Sequence, residues 1–178
     1  MDPVQFPAIS TERLKLRKLV DSDWKEVSYL RTNKEVNKFV DRPPAETREK
    51  AMEFIARITS AVDKGESYYW AITSMDDNRM IGSICLWNLS EDRKYAEIGY
   101  DLHPDFQKKG IMDESLKAIL IFGFNELLLN TIEAYTHKDN TASRKLLERN
   151  GFTLVPGKKD EDVPDNVVYE VINSGPNR

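Results

Sequence analysis

The whole chain holds one cysteine, Cys85, so no internal disulfide can form and the sequence fits a reducing compartment. Long apolar runs are missing: none approaches the roughly 20 residues that span a bilayer, and the N-terminus lacks a signal-peptide pattern. The expectation is a soluble, cytoplasmic protein with no membrane partner. Charge of one sign is not in large excess. The net charge is −4 from 26 basic and 30 acidic residues, and nothing in that balance argues for nucleic acid. Only two histidines occur, His103 and His137, with no cysteine or carboxylate spacing that marks a metal centre. Three glycine signatures are also missing. Without Gly-x-x-x-x-Gly-Lys-Ser/Thr a P-loop has no support, and without Gly-x-Gly-x-x-Gly after a strand neither has a dinucleotide fold. Without Gly-x-Ser-x-Gly a serine hydrolase has no support either.

What is present is a mixed order of helices and strands. At 178 residues one domain is the default, spanning residues 1–178 with its core from about 10 to 172. A strand is predicted over Arg13 to Leu19, followed by a helix opening at Asp21. A longer helix from about Thr47 to Lys64 carries Ala51, Phe54, Ile55, Ile58 and Val62 at helical spacing. Strand patterns follow over Ser67–Ser74, Met80–Trp87 and Tyr95–Leu102, separated by the polar clusters Asp76-Asp77-Asn78 and Ser90-Glu91-Asp92, the pattern of an antiparallel meander. A helix from Met112, a strand over Thr131–His137, a helix from Asn140 and two final strands complete an α+β fold, a mixed and mostly antiparallel sheet flanked by helices.

The densest signal lies between Tyr100 and Met112. A strand ends at Pro104, which can neither continue a ladder nor donate to it. The turn Gln107-Lys108-Lys109-Gly110 then feeds a helix with Met112, Leu116, Ile119, Leu120, Gly123 and Leu127 on its apolar face. A basic, glycine-containing turn at a helix N-terminus suits a pyrophosphate, because unpaired N–H groups, the helix dipole and lysine charge converge there. A second strand-to-helix junction follows: Asn140 suits an N-cap, Leu146 and Leu147 are apolar, and Gly151 suits the position past the helix end.

Together these segments resemble the GNAT superfamily of acetyl-CoA-dependent N-acetyltransferases. Gln107-x-x-Gly110-x-Met112 matches its pyrophosphate motif, and Asn140-x-x-Ser143 with Gly151-Phe152 its second motif. Thr11 to Arg17 and Glu97-Ile98-Gly99-Tyr100-Asp101-Leu102-His103-Pro104 look like the branch that acetylates ribosomal-protein N-termini. The resemblance implies a GNAT fold and acetyl-CoA as co-substrate, with no metal. It also implies that Gln107, Lys108, Lys109, Gly110, Ile111 and Met112 hold the pyrophosphate, while Leu102 and Asn140 contact the pantetheine arm. The acceptor it implies is a primary amine, a protein N-terminal α-amine such as that of a ribosomal protein. A small-molecule amine (polyamine, amino acid, aminoglycoside) and a non-catalytic acyl-CoA-binding module remain as alternatives. A homodimer closing the acceptor cleft is compatible with it.

Two side chains are candidates for chemistry. Glu97, set between Ala96 and Ile98, gains basicity if burial raises its pKa, although a carboxylate fixed by an arginine or by backbone amides is an equal reading. Many GNAT enzymes carry a tyrosine seven residues after the motif asparagine, and here that position is Leu147. Ser143 is the nearest hydroxyl to hydrogen-bond the leaving sulfur. Met112 stands where Gly or Ala is usual, and its place on the apolar stripe points it into the core. Cys85 reads as a buried strand residue and His137 as a solvent-facing turn histidine.

Overall fold

Short stretches of alternating polarity set the strands, and a computed structural model describes residues 5–175 of the chain. In order come β1 (Ile9–Ser10), β2 (Leu14–Lys18), α1 (Trp24–Thr32), α2 (Arg48–Asp63), β3 (Tyr68–Ser74), β4 (Gly82–Trp87), β5 (Tyr95–Leu102), α3 (Ile111–Asn125), β6 (Thr131–His137), α4 (Thr141–Arg149), β7 (Thr153–Leu154) and β8 (Asn166–Ile172). Single 3-10 turns over Asp21–Asp23 and Pro104–Phe106 precede α1 and the turn into α3. The expected ends of the second helix are its caps: Thr47 Oγ1 accepts from the Lys50 N–H at 3.2 Å, and Lys64 follows the last turn.

The sheet order is β1-β2-β3-β4-β5-β6-β8-β7. Strands β2 to β5 form the antiparallel meander, β5 and β6 run parallel, and β8 pairs antiparallel with both β6 and β7. Strand alternation then divides the core between two faces. Leu14, Leu16, Trp70, Ile72, Ile84, Leu86, Ala96 and Ile98 pack beneath α3 and α4 through Leu116, Ile119, Leu146 and Leu147. Ala71 and Met80 pack beneath α1 and α2 through Val27, Leu30, Ala51 and Ile55. The aromatic run of β3 obeys the same alternation. Tyr68 stacks on Trp70 at 5.9 Å on one face, while Tyr69 meets the Phe54 edge at 6.1 Å on the other. Met112 is buried in the first core. Gly123 lets α3 settle on β6, since a Cβ there would lie 2.9 Å from Ile132 Cδ1. Arg17 and Asp23 form a bidentate pair at 2.8 and 2.9 Å, pinning the start of α1 to β2.

One irregularity of the sheet positions everything that follows. The parallel ladder pairs Tyr95 with Thr131 and stops at Ile98 with Ala134. Strand β5 nevertheless continues to Leu102 and β6 to His137. The two strands part, leaving a split in the middle of the sheet that opens toward the starts of α3 and α4. No helix among the described residues is long and apolar enough to cross a membrane.

Candidate active site

The unpaired end of β5 faces the split with its backbone. His103 N–H donates across to Ile81 O at 2.8 Å, on the β4 side. By strand alternation the N–H and C=O of Leu102 point the other way, into the gap. The Leu102 carbonyl is met there by Gln107 Nε2 at 2.9 Å. Gln107 N–H donates to Pro104 O at 3.2 Å, so its backbone and its side-chain amide nitrogen both brace the turn.

Beyond Gln107 the turn is built to leave donors open. Lys108 and Gly110 both adopt left-handed backbone, with φ of 60° and 75°. Gly110 is the N-cap of α3 and has no side chain with which to close the helix start. The first N–H to find a helical acceptor is that of Glu114, which donates to Gly110 O at 3.1 Å. Among the described residues none accepts from the N–H groups of Lys108, Lys109, Gly110, Ile111, Met112 or Asp113. This is a helix N-terminus with its dipole uncapped and two exposed lysines beside it, an arrangement that fits a diphosphate.

The turn is held from behind by residues the sequence reading had left unassigned. Glu114 accepts from Thr11 Oγ1 at 2.6 Å, from Arg13 N–H at 2.9 Å and from Arg13 Nε at 2.7 Å. Arg13 Nη1 also donates to Lys109 O at 2.9 Å. Burial alone would push the Glu114 carboxyl up, but these hydrogen bonds and the Arg13 charge hold it below the usual carboxylate range. The Thr11-x-Arg13 segment is thus a brace for the turn into α3.

The second helix start is closed. Asn140 Oδ1 accepts from Ser143 N–H at 3.2 Å, the N-cap bond expected of it. Ser143 Oγ lies 2.7 Å from the hydroxyl oxygen of Tyr100, which reaches over from the unpaired end of β5. Tyr100 is partly buried, and burial pushes its phenol up to about 12 while the bond to Ser143 pulls it down. Sequence reasoning did not single out Tyr100, which lies two residues beyond Ile98, where β5 leaves β6; no local signal marks that parting. Leu147, one turn on from Ser143, is fully buried in the core.

The other face of the split carries the carboxylates. In the parallel register Glu97 lies directly opposite Glu133. Glu133 is buried and held by Lys158 Nζ, by the Tyr95 hydroxyl at 2.8 Å and by the Tyr135 hydroxyl at 3.1 Å. Glu97 is half-buried and accepts from Asn88 Nδ2 at 2.8 Å and more distantly from Tyr95. Burial raises the Glu97 pKa; the hydrogen bonds from Asn88 and Tyr95 oppose this, and the charges of Glu133 and Asp160 add to it. Of the two, Glu97 is the freer base. Among the described residues no arginine pairs with it. Glu133 went unnoticed in the sequence, where a glutamate inside the apolar strand Thr131–His137 was the cue.

On this face the loop between α1 and α2 is anchored to both sides of the split. Arg42 Nη2 pairs with Asp101 Oδ2 of β5 at 3.0 Å, and Phe39 packs on His137 of β6 at 5.1 Å between ring centroids. His137 is thus largely covered, not the solvent-facing histidine expected. Burial pushes the Cys85 thiol up to about 12, which disfavours its thiolate. Asp160 accepts from the N–H groups of Asp162 and Val163, so part of the acidic β7–β8 loop serves its own turn. Among the described residues no group of three or more His, Cys, Asp or Glu side chains gathers as a metal site.

Comparison with known proteins gives this geometry its relatives. Residues 13–153 match the acetyltransferase (GNAT) domain model. The uncharacterized N-acetyltransferase YoaA of Bacillus subtilis is 31% identical over 147 residues, covering 83% of each chain. Among solved structures, RimL, a ribosomal alpha-N-protein acetyltransferase in complex with coenzyme A, is similar with a TM-score of 0.81 at 23% identity, over 93% of this chain and 98% of that one. A ribosomal-protein alanine acetyltransferase from Vibrio fischeri has a TM-score of 0.81 at 20% identity, over 94% and 97%. At those identities the structural likeness speaks for the fold alone.

Proposed function

The chain belongs to the GNAT acetyltransferase family of N-acetyltransferases, which use acetyl-CoA, and on that premise we propose that it acetylates protein N-terminal α-amines, such as that of a ribosomal protein. The observation that carries the reading is the split after Ile98 and Ala134, with a carboxylate on one face and a hydroxyl pair on the other. In this reading the open N–H groups from Lys108 to Asp113 receive the diphosphate. The Leu102 N–H receives the pantetheine arm, as if the arm were an added strand. Asn140 fixes the start of α4 beside that arm.

The amine enters from the α1–α2 face. Its nitrogen attacks the acetyl carbon, the C–N bond forms and the C–S bond breaks. Glu97 takes the proton the nitrogen loses, directly or through water, and Ser143 donates a hydrogen bond to the departing thiolate, which solvent then protonates. No covalent enzyme intermediate is needed. Base and hydrogen-bond donor stand on opposite faces of one strand, so neither obstructs the other.

The charge of the α1–α2 face supports a protein terminus over a polyamine. Arg42 neutralises Asp101, while Arg31, next to Leu30 whose carbonyl Arg42 also binds, has no carboxylate partner among the described residues. Burial first, then the Arg42 charge, pushes the Arg31 guanidinium below its ordinary value. An unpaired guanidinium beside the Arg42–Asp101 pair leaves this edge of the face without a free carboxylate for a second amine of a polycation.

Thiol release with short free-amine peptides, the same peptides N-acetylated, and spermidine tests this acceptor. Turnover confined to the free-amine peptides is expected; efficient use of spermidine overturns it. Glu97→Gln should lower turnover at least tenfold, within the usual range for a general base, with little change in acetyl-CoA affinity. Because the base must be ionised, wild-type kcat/KM should rise with pH through the raised Glu97 pKa, before the further rise that comes as the acceptor α-amine loses its own proton. The Glu97 limb should vanish in the variant.

A further inference from the structure

The hydroxyl pair on the α4 side of the split has a direction. Tyr100 and Ser143 are 2.7 Å apart, and either oxygen can supply the hydrogen. A phenol is a stronger acid than an alkyl alcohol, and burial favours the protonated form of Tyr100. On that ground the phenol is assigned the donor's part and the serine oxygen the acceptor's. Ser143 N–H is already taken by Asn140 Oδ1, and among the described residues Ser143 Oγ has no hydrogen-bond partner besides Tyr100. Its own hydrogen is left to donate elsewhere. A first-turn serine without such a partner can turn its hydrogen back to the carbonyl four residues earlier, here that of Asp139.

We infer that Tyr100 is a positioning residue: by donating to Ser143 Oγ it holds the Ser143 hydrogen toward the split, where the leaving sulfur is to be met. This rests on the role given to Ser143 above. It also accounts for Leu147. With the aromatic hydroxyl arriving from β5, position 147 is released to a leucine that is fully buried beneath α4. The tyrosine acts through the serine and does not touch the sulfur.

The test compares coenzyme A with desulfo-coenzyme A, which lacks only the sulfur, by calorimetry on the full chain. Wild type, Tyr100→Phe, Ser143→Ala and the double variant are measured, together with kcat, KM for acetyl-CoA and melting temperature. One hydrogen bond to a charged acceptor corresponds to about a tenfold effect. Wild type should prefer coenzyme A by about that factor, and Tyr100→Phe should lose most of the preference and about tenfold in kcat, with KM and melting temperature little changed. The double variant should be no worse than Ser143→Ala alone, because the two hydroxyls act in series.

If Ser143→Ala abolishes the preference while Tyr100→Phe keeps it, Tyr100 is a packing residue and the inference fails, with the role of Ser143 intact. If neither substitution changes the preference, the role of Ser143 fails and the inference with it. Equal weakening of both ligands by Tyr100→Phe, with a lower melting temperature, would show a structural role and likewise overturn it.

Discussion

Two helices begin at the open end of the split, and their first turns are built in opposite ways. At α3 the cap is Gly110, with no side chain, and a run of backbone N–H groups is left without acceptors. Its shape is imposed from outside, through Arg13 and Glu114. At α4 the cap is Asn140, which closes on its own Ser143 N–H. What remains to offer there is a pair of hydroxyls. The difference matches the proposed division of labour: an open first turn suits a ligand carrying charge, and a closed one an uncharged arm and its sulfur. Self-capping at α3 would occupy the donors that the proposed diphosphate contact needs.

The sharpest way to break that comparison is to place the same charge at both starts. Gly110→Asp sets a carboxylate among the open N–H groups on a left-handed backbone, where a Cβ would also crowd Arg13 Nη2 at 3.3 Å. Acetyl-CoA affinity should fall about a hundredfold, the loss of one or two charge-assisted hydrogen bonds. Asn140→Asp keeps the cap and should change affinity less than about threefold. Equal losses in calorimetry would dissolve the distinction.

A smaller effect comes from removing the cap. Asn140→Ala should cost about 1 kcal/mol, a drop of roughly 2–4 °C in melting temperature for a chain of this size, with affinity less affected than stability. The smallest is a matter of pH. Glu114 has a folded pKa below its unfolded one, so its stabilisation is present above the unfolded value and lost as pH falls through the folded value. Glu114→Gln should melt below wild type at neutral pH, by well under about 1 kcal/mol given the exposed Arg13. The gap should close in acid. The start of α4, capped by an uncharged amide, should show no such dependence.

Much of this was legible in the residues because the signals are local. Strand Tyr95–Leu102 and strand Thr131–His137 are bounded as their alternation indicates. The glycine turn and the Asn140 cap stand at the helix starts predicted for them. Met112 faces the core, as its spacing demands. The rest depends on pairings between distant segments, which no window of sequence contains. The bond between Tyr100 and Ser143 spans two elements, and the brace from Thr11 and Arg13 to Glu114 joins the first strands to the third helix. Gln107 was assigned by motif position, whereas its hydrogen bonds are decided by a turn that folds it back on Leu102. Glu133 acquires its meaning only from the parallel register that sets it beside Glu97.

The parting of β5 and β6 has a consequence for how this protein keeps to itself. An open sheet exposes two rims, and here the outermost strands, β1 and β7, are two residues each, too short to recruit a neighbour. The split adds a second pair of rims inside the sheet, and these are longer. They are screened by α3 and α4 on one side and by the bridging α1–α2 loop on the other. The fold thus blunts the outer rims and shelters the interior ones, leaving them room for a slender arm, such as the proposed pantetheine, and little for another strand.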